Sequence, residues 1–266
     1  MKYMVGLFFL SGCLSTPGGK ELQSLTSDLA DYVRQTYYIP FSNDPDFPAP
    51  TLILRRAPCS PIPVRMADRG DTLAKKVAFT FDACSALHPG DLDSAIVRVL
   101  LEKKAAATFF LGGKWVCDRV ADARELAALN DFELGNHSYL HSHMTQVSPE
   151  RLSAEIQWAQ DLIYTVTGRV PRYFRPPYVE WSDTVVEAAA RAGMTTVLGN
   201  LPSGDPAPSS TKSRLISWVL WKLKPGSIVI MHVNGRGWHT AEALPVLVDS
   251  VRGRGFELVT ISELLR

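Results

Sequence analysis

The chain has 266 residues, enough for one large α/β domain and too few for two full enzymes with linkers. Its 46% hydrophobic content and 18 prolines fit a globular protein with a buried core and many connections. A formal charge of +1, with lysine and arginine spread along the chain, provides no basic patch, so no nucleic acid is expected as a partner.

Lys2 precedes a short apolar run, residues 3–10, followed by Ser11, Gly12 and Cys13. A basic start, an apolar core and small residues make an export signal. The run is far too short to span a bilayer; the competing reading is a buried N-terminal strand or helix. Leu10-Ser11-Gly12-Cys13 also resembles the lipobox of bacterial lipoproteins. That resemblance implies an export signal over 1–12, lipidation of Cys13, and anchorage to a membrane facing the periplasm without crossing it. Residues 13–74 read as a tether, a helix and a wrapping segment. Within them, 14–20 is flexible, 21–36 has helical spacing through Leu22, Leu25, Leu29 and Val33, and 39–63 is proline-rich with one strand at Thr51–Leu54. Cys59, Cys84 and Cys117 would then lie in an oxidising compartment. They permit one disulfide with one thiol left over, and the sequence does not choose the pair.

From Lys75 the texture changes. Residues 77–81 form a buried-strand run, followed by a helix over 92–104, a strand over 106–111 and a helix over 118–129. The alternation continues with strand 132–135, helix 149–167, strand 173–175, helix 182–192 and strand 195–198. Helix 210–223, strand 227–231, helix 241–254 and strand 257–260 complete it. Such alternation predicts parallel βαβ units, and about seven of them approach a (β/α) barrel. Asp82, His137, Arg175, Asp205 and His232 each fall at or just past the end of a predicted strand, where a barrel gathers its functional loops.

His137 and His141 are four residues apart, a spacing that brings two imidazoles together on one face of a helical turn as ligands for a metal such as zinc. Thr80-Phe81-Asp82, His137-x-x-x-His141, Arg175-x-Pro177-Tyr178 and Ile230-x-His232 resemble, in order and spacing, the motifs of the polysaccharide deacetylase family, the NodB homology domain of carbohydrate esterase family 4. Thr240–Pro245 and Gly255–Thr260 resemble its C-terminal ending.

The resemblance covers residues 75–266 and implies a distorted (β/α) barrel that removes acetyl groups from sugar polymers with a divalent metal: zinc, or else cobalt or manganese. By resemblance, Asp82 is the general base, His232 the general acid, and the backbone N–H of Tyr178 an oxyanion donor. Arg175 would pair with Asp82 and keep it ionised. Asp205 would stand for the acidic residue that tunes the catalytic histidine, although Ser203-Gly204-Asp205-Pro206 departs from the usual pattern.

The family places a second aspartate after the first as a third metal ligand; here that position is Ala83, followed by Cys84. A water or substrate oxygen, a shifted Asp82, or His88, Asp91 or Asp93 from the next loop could compensate. Cys84 is chemically able to ligate, but two positions past Asp82 it is expected to point away. An open site with water needs no backbone change and is the expectation. The substrate implied is an N-acetylated envelope glycan of the peptidoglycan or poly-N-acetylglucosamine type, acted on by a monomer. The alternatives are a catalytically silent glycan-binding member, for which Ala83 speaks, and an O-acetyl esterase. Trp181 and Trp238 follow two motif loops and suit either a flat wall for a sugar ring or plain packing.

Overall fold

The computed structural model describes residues 36–85 and 90–266, and Tyr38–Arg266 forms one compact unit. The expected export signal, Cys13, the tether and the 21–36 helix lie outside the described residues, apart from residue 36 of that helix, as does His88.

Nine strands build one parallel sheet: β1 (Met66–Ala67), β2 (Lys76–Ala83), β3 (Ala107–Leu111), β4 (Phe132–Asn136), β5 (Tyr173–Phe174), β6 (Thr195–Val197), β7 (Leu201–Pro202), β8 (Ile228–His232) and β9 (Glu257–Leu258). Their spatial order is β1-β6-β5-β4-β3-β2-β8-β7, with β9 pairing with the start of β2. The order has two ends, so the sheet curls into a half-barrel, the distorted form of the expected (β/α) architecture.

Among the described residues eight helices connect and cover the strands: α1 (Ser94–Glu102), α2 (Gly113–Asp118), α3 (Val120–Ala128), α4 (Pro149–Thr167), α5 (Asp183–Arg191), α6 (Lys212–Lys222), α7 (Thr240–Gly253) and α8 (Ile261–Leu264). Helix α4 matches the sequence expectation because its ends are marked chemically. Ser148 caps it with a side-chain acceptor, Pro149 opens it, and Gly168 closes it at φ 72°.

The helix expected over 118–129 is present as α3, the second of two helices separated where Arg119 adopts φ −129°. The first begins as soon as β3 ends, with Ser85 Oγ and the Tyr139 carbonyl accepting from the amides of Trp115 and Lys114. Strands β1 and β7 have two residues each and show no alternation to read. Helix α8 is short but carries a capping box, Thr260 with Glu263, that the sequence displays.

Strand β2 lies at the centre and divides the interior by its two-residue period. Val77, Phe79, Phe81 and Ala83 belong to the large apolar cluster that includes Leu100, Trp115 and Leu247 of the helices. Ala78 belongs instead to a cluster inside the curl with Phe110, Val197 and Ile228. The even-numbered side chains therefore face the interior of the half-barrel. Residues 38–57 lie along α4: Phe47 stacks on Trp158 at 4.7 Å, and Asp161 accepts from the Tyr38 hydroxyl and the Ala57 amide, both at 2.7 Å.

Candidate active site

The register sets one row across the C-terminal strand ends. His232 stands opposite Asp82, Ala83 opposite Leu111, Leu111 opposite Asn136, and Asn136 opposite Phe174. Asp82, His137, Arg175 and His232 thus come from four strands to one end of the sheet, where loops of an α/β sheet meet.

On the floor, Arg175 is fully buried and its Nη1 donates to Asp82 Oδ1 at 2.7 Å and to Thr80 Oγ1 at 2.8 Å. The Thr80 hydroxyl donates its own hydrogen bond to the Val229 carbonyl at 2.6 Å, which fixes it as an acceptor for the guanidinium. The guanidinium carbon lies 4.0 Å from the Phe110 ring centre, a cation–π contact. Burial pushes the Asp82 carboxyl up. The cations around it, Arg175 first and then His137 and His232, outweigh that and hold it below the usual carboxylate range.

The second group is a histidine–aspartate pair. His232 Nδ1 lies 2.9 Å from Asp205 Oδ1, while Asp205 Oδ2 accepts from the His232 amide and the Thr240 hydroxyl, both at 2.8 Å. Gly237 permits this packing, since a Cβ there would lie 2.5 Å from the His232 carbonyl and 2.9 Å from Asp205 Oδ2. Burial lowers the His232 imidazolium's affinity for its proton; the bond to Asp205, with a further contribution from Cys84, overrides this and pushes it up to about 10.

The histidine pair comes together differently from expectation. Residues 137–141 form no helical turn; Ser138 and His141 adopt φ of 63° and 61°. The loop is tied down instead of coiled. Asn136 Oδ1 accepts from the Ser138 amide at 2.9 Å, and Ser138 Oγ accepts from the His141 amide at 3.1 Å. Glu155, fully buried on α4, accepts from the amides of Tyr139 and Leu140 at 2.8 and 2.7 Å and from the Ser142 hydroxyl. The two imidazole rings end 5.0 Å apart, edge to face. His137 Nδ1 meets the Arg175 carbonyl at 2.8 Å, so Nε2 is the nitrogen left for a ligand.

Cys84 is the second departure. Its Sγ lies 3.7 Å from His137 Nε2, and the donor atoms of Cys84, His137 and His141 all fall within 4.8 Å of one another. The expectation that it would point away is overturned by the strand period: residues 82 and 84 share a face, and Ala83 faces the helices. Burial alone would raise the Cys84 thiol, but the bonds from His137, His141 and His232 hold it well below its usual range. Asp91 pairs with Arg119 at 2.7 Å and Asp93 caps α1, so both are engaged elsewhere. Cys59, Cys84 and Cys117 are all free, so the disulfide the sequence permits does not form among them.

Tyr178 sits on a 3-10 turn, Pro177–Val179, with φ 59°, followed by Val179 at φ 58°. A β-branched residue there is a conformational outlier costing about 1–3 kcal/mol, of the kind that gathers at functional sites. The Tyr178 ring stacks on His143 at 4.2 Å and meets His141 edge-on at 4.6 Å, so the turn is docked directly against the histidine loop. Trp181 and Trp238 are 45% and 49% exposed, which places them outside the core. The sequence assigned no role to Asn136, Thr80 or Glu155, although Thr80 lies in one of the motifs. Glu155 left a trace, a carboxylate between Leu152 and Ile156 on the buried stripe of α4.

The family model described as Polysaccharide deacetylase matches residues 69–197. A peptidoglycan-N-acetylglucosamine deacetylase of Bacillus cereus is 30% identical over 174 residues, covering 64% of this chain and 80% of that protein. A 32% identical Bacillus subtilis protein, itself uncharacterized, is covered over 52% of its length by 64% of this chain. The crystal structure of a CE4 family pseudoenzyme from Bacillus anthracis superposes with a TM-score of 0.70 at 28% identity, covering 77% of this chain and 70% of that one. Shared motifs, a shared half-barrel and this level of identity along most of a relative's length leave one conclusion: the chain belongs to the polysaccharide deacetylase family.

Proposed function

We propose that this protein is a metal-dependent hydrolase that removes acetyl groups from an N-acetylated envelope glycan of the peptidoglycan or poly-N-acetylglucosamine type. The observation that carries the reading is the placement, within one register row, of a buried carboxylate paired with an arginine and a buried imidazole paired with an aspartate, beside a cluster of side chains able to ligate a metal. Amide hydrolysis needs a base for the attacking water, an acid for the leaving amine and a donor for the oxyanion.

Three converging donors with one ring nitrogen already fixed fit a divalent cation, which His137 and His141 would hold. When bound, such an ion supplies Lewis-acid activation. Asp82 takes the proton from water at Oδ2, the oxygen that Arg175 leaves free. His232 delivers a proton to the departing amine nitrogen, and Asp205 at Nδ1 holds the imidazole in orientation and stabilises its cationic form. The Tyr178 amide donates to the oxyanion, and the strained turn keeps that N–H presented. The exposed rings of Trp181 and Trp238 suit a sugar face. We further place the protein outside the cytoplasm as a monomer on a Cys13 lipid anchor, with residues 75–266 as its deacetylase domain; no helix among the described residues is long and apolar enough to cross a membrane.

Acetate release from chito-oligosaccharides and from peptidoglycan, with zinc, cobalt or manganese added, tests the reading. Release that depends on metal and disappears in His137→Ala is the expected result. A second reading, a silent glycan-binding member, is favoured by Ala83 and by the pseudoenzyme with a similar fold. Metal uptake without acetate release from any N- or O-acetylated glycan would establish it instead.

A further inference from the structure

We propose that Cys84 supplies the third protein ligand of the metal centre, taking over from the absent carboxylate at position 83, and that its sulfur makes the site select zinc or cobalt(II) over manganese or magnesium. The proposal rests on the reading of His137 and His141 as metal ligands and adds to it the identity of the third donor and its consequence.

Four observations converge. A tetrahedral ion about 2.3 Å from sulfur and about 2.1 Å from nitrogen holds those donors roughly 3.5 Å apart. The observed separation of Cys84 Sγ from His137 Nε2 is 3.7 Å, with His141 completing a set within 4.8 Å. The donors are held in place from behind: His137 by the Arg175 carbonyl, and Cys84 by the buried Asn234, whose Nδ2 donates to the Cys84 carbonyl at 2.7 Å. Supports of this kind orient ligands and tune affinity. Asp82 has one oxygen engaged by Arg175 at 2.7 Å and, although its other oxygen lies 3.9 Å from His137 Nε2, it does not join the set of donors that all fall within 4.8 Å of one another. Ala83 faces the apolar cluster beneath the helices, so the strand presents residue 84, and not residue 83, on the side of Asp82.

The chemical consequence follows from softness. A carboxylate with two imidazoles admits hard and borderline ions alike, whereas a thiolate favours zinc and cobalt and disfavours manganese and magnesium. The substitution exchanges one anionic ligand for another, so the formal charge of the donor set is unchanged while its preference moves.

The test uses the full-length protein loaded with cobalt(II) and with zinc, with metal content and absorption as readouts. One cobalt per chain with a thiolate-to-cobalt charge-transfer band is expected. Cys84→Ser should lose the band and weaken zinc binding by more than the roughly 10–100-fold that follows loss of a residue merely orienting a ligand. Cys117→Ser should keep both. Cys84→Asp restores a carboxylate: it should still bind metal, without the band, and take up manganese more readily than the parent. A stoichiometric cobalt complex that lacks the band, or a band that survives Cys84→Ser, would overturn the assignment. If Cys84→Ser does not fold, the Cys84→Asp and wild-type spectra decide alone. A zinc-loaded protein with the sulfur ligand demonstrated but no acetate release would refute the deacetylase reading and leave the ligand assignment standing.

Discussion

Two buried aspartates sit in opposite environments. Asp82, at the end of the central strand, faces the Arg175 guanidinium at 2.7 Å and has two histidines nearby. Asp161, on α4, takes its hydrogen bonds from neutral donors, the Tyr38 hydroxyl, the Ala57 amide and the Gln157 side chain, with the Arg56 charge acting only as a lesser influence. Burial pushes both carboxyls up. At Asp82 the cations reverse the direction; at Asp161 the neutral hydrogen bonds, even with the smaller help of Arg56, do not. Burial therefore does not decide what a carboxylate does. Fixed positive charge keeps one ionised and ready to take a proton, while neutral donors make the other a staple for the segment around Ala57.

Four changes press on that contrast. Asp82→Asn cannot accept a proton and should lower kcat per folded molecule by about 10²–10⁴, and because it leaves the buried Arg175 cation without its anion it should also cost about 3–5 kcal/mol of stability; a folded Asn variant with wild-type kcat would remove Asp82 from the role of base. Arg175→Met strips the cation from a buried carboxylate, so chemical denaturation should show about 3–5 kcal/mol of lost stability. If the variant folds, its Asp82 binds protons more tightly, and the acid limb of kcat/KM should move to higher pH, because ionised Asp82 exists only above its pKa. An unmoved limb would mean that Arg175 does not set the ionisation.

Asp161→Ala leaves the Tyr38 hydroxyl and the Ala57 amide without their acceptor and should cost about 1–3 kcal/mol in a denaturant titration. Acetate release per folded molecule should stay at the wild-type level; a large loss there would tie the wrapping segment to catalysis. The smallest effect is expected at Asp205→Asn. The proton on His232 is held by Asp205, so the acid form persists until pH rises through a raised value. Without that anion the alkaline limb of kcat/KM should fall at lower pH, with a rate loss of about tenfold at neutral pH, equivalent to about 1.4 kcal/mol. A profile that does not move would separate Asp205 from the titration of His232.

Most of the fold was readable because its strands are buried on both faces and its helices carry capping signals. Runs such as Val77–Phe81 and Ser227–Met231 announce themselves, and Ser148, Pro149 and Gly168 delimit α4 to the residue. What escaped had no pattern to show. Strands of two residues have no period, and the break at Arg119 is a matter of backbone angle. The supports of the site escaped for a related reason. Asn136 and Glu155 act on the 137–142 loop through backbone amides, which every residue possesses, so the sequence marks the acceptors and not what they accept from.

By itself the sequence determined the order of the motifs, the alternation of strands and helices, and the placement of Asp82, His137, Arg175 and His232 at strand ends, because apolar runs and their termini are written in residue type. Only the tertiary structure decided how the histidines meet and which neighbour joins them. The loop closes through left-handed residues held by Asn136 and Glu155, and the pleat of β2 turns Ala83 toward the helices and Cys84 toward the histidines. Side-chain direction at the exit of a strand depends on the backbone path of the last few residues, and that path is set by packing from elements far away in the chain.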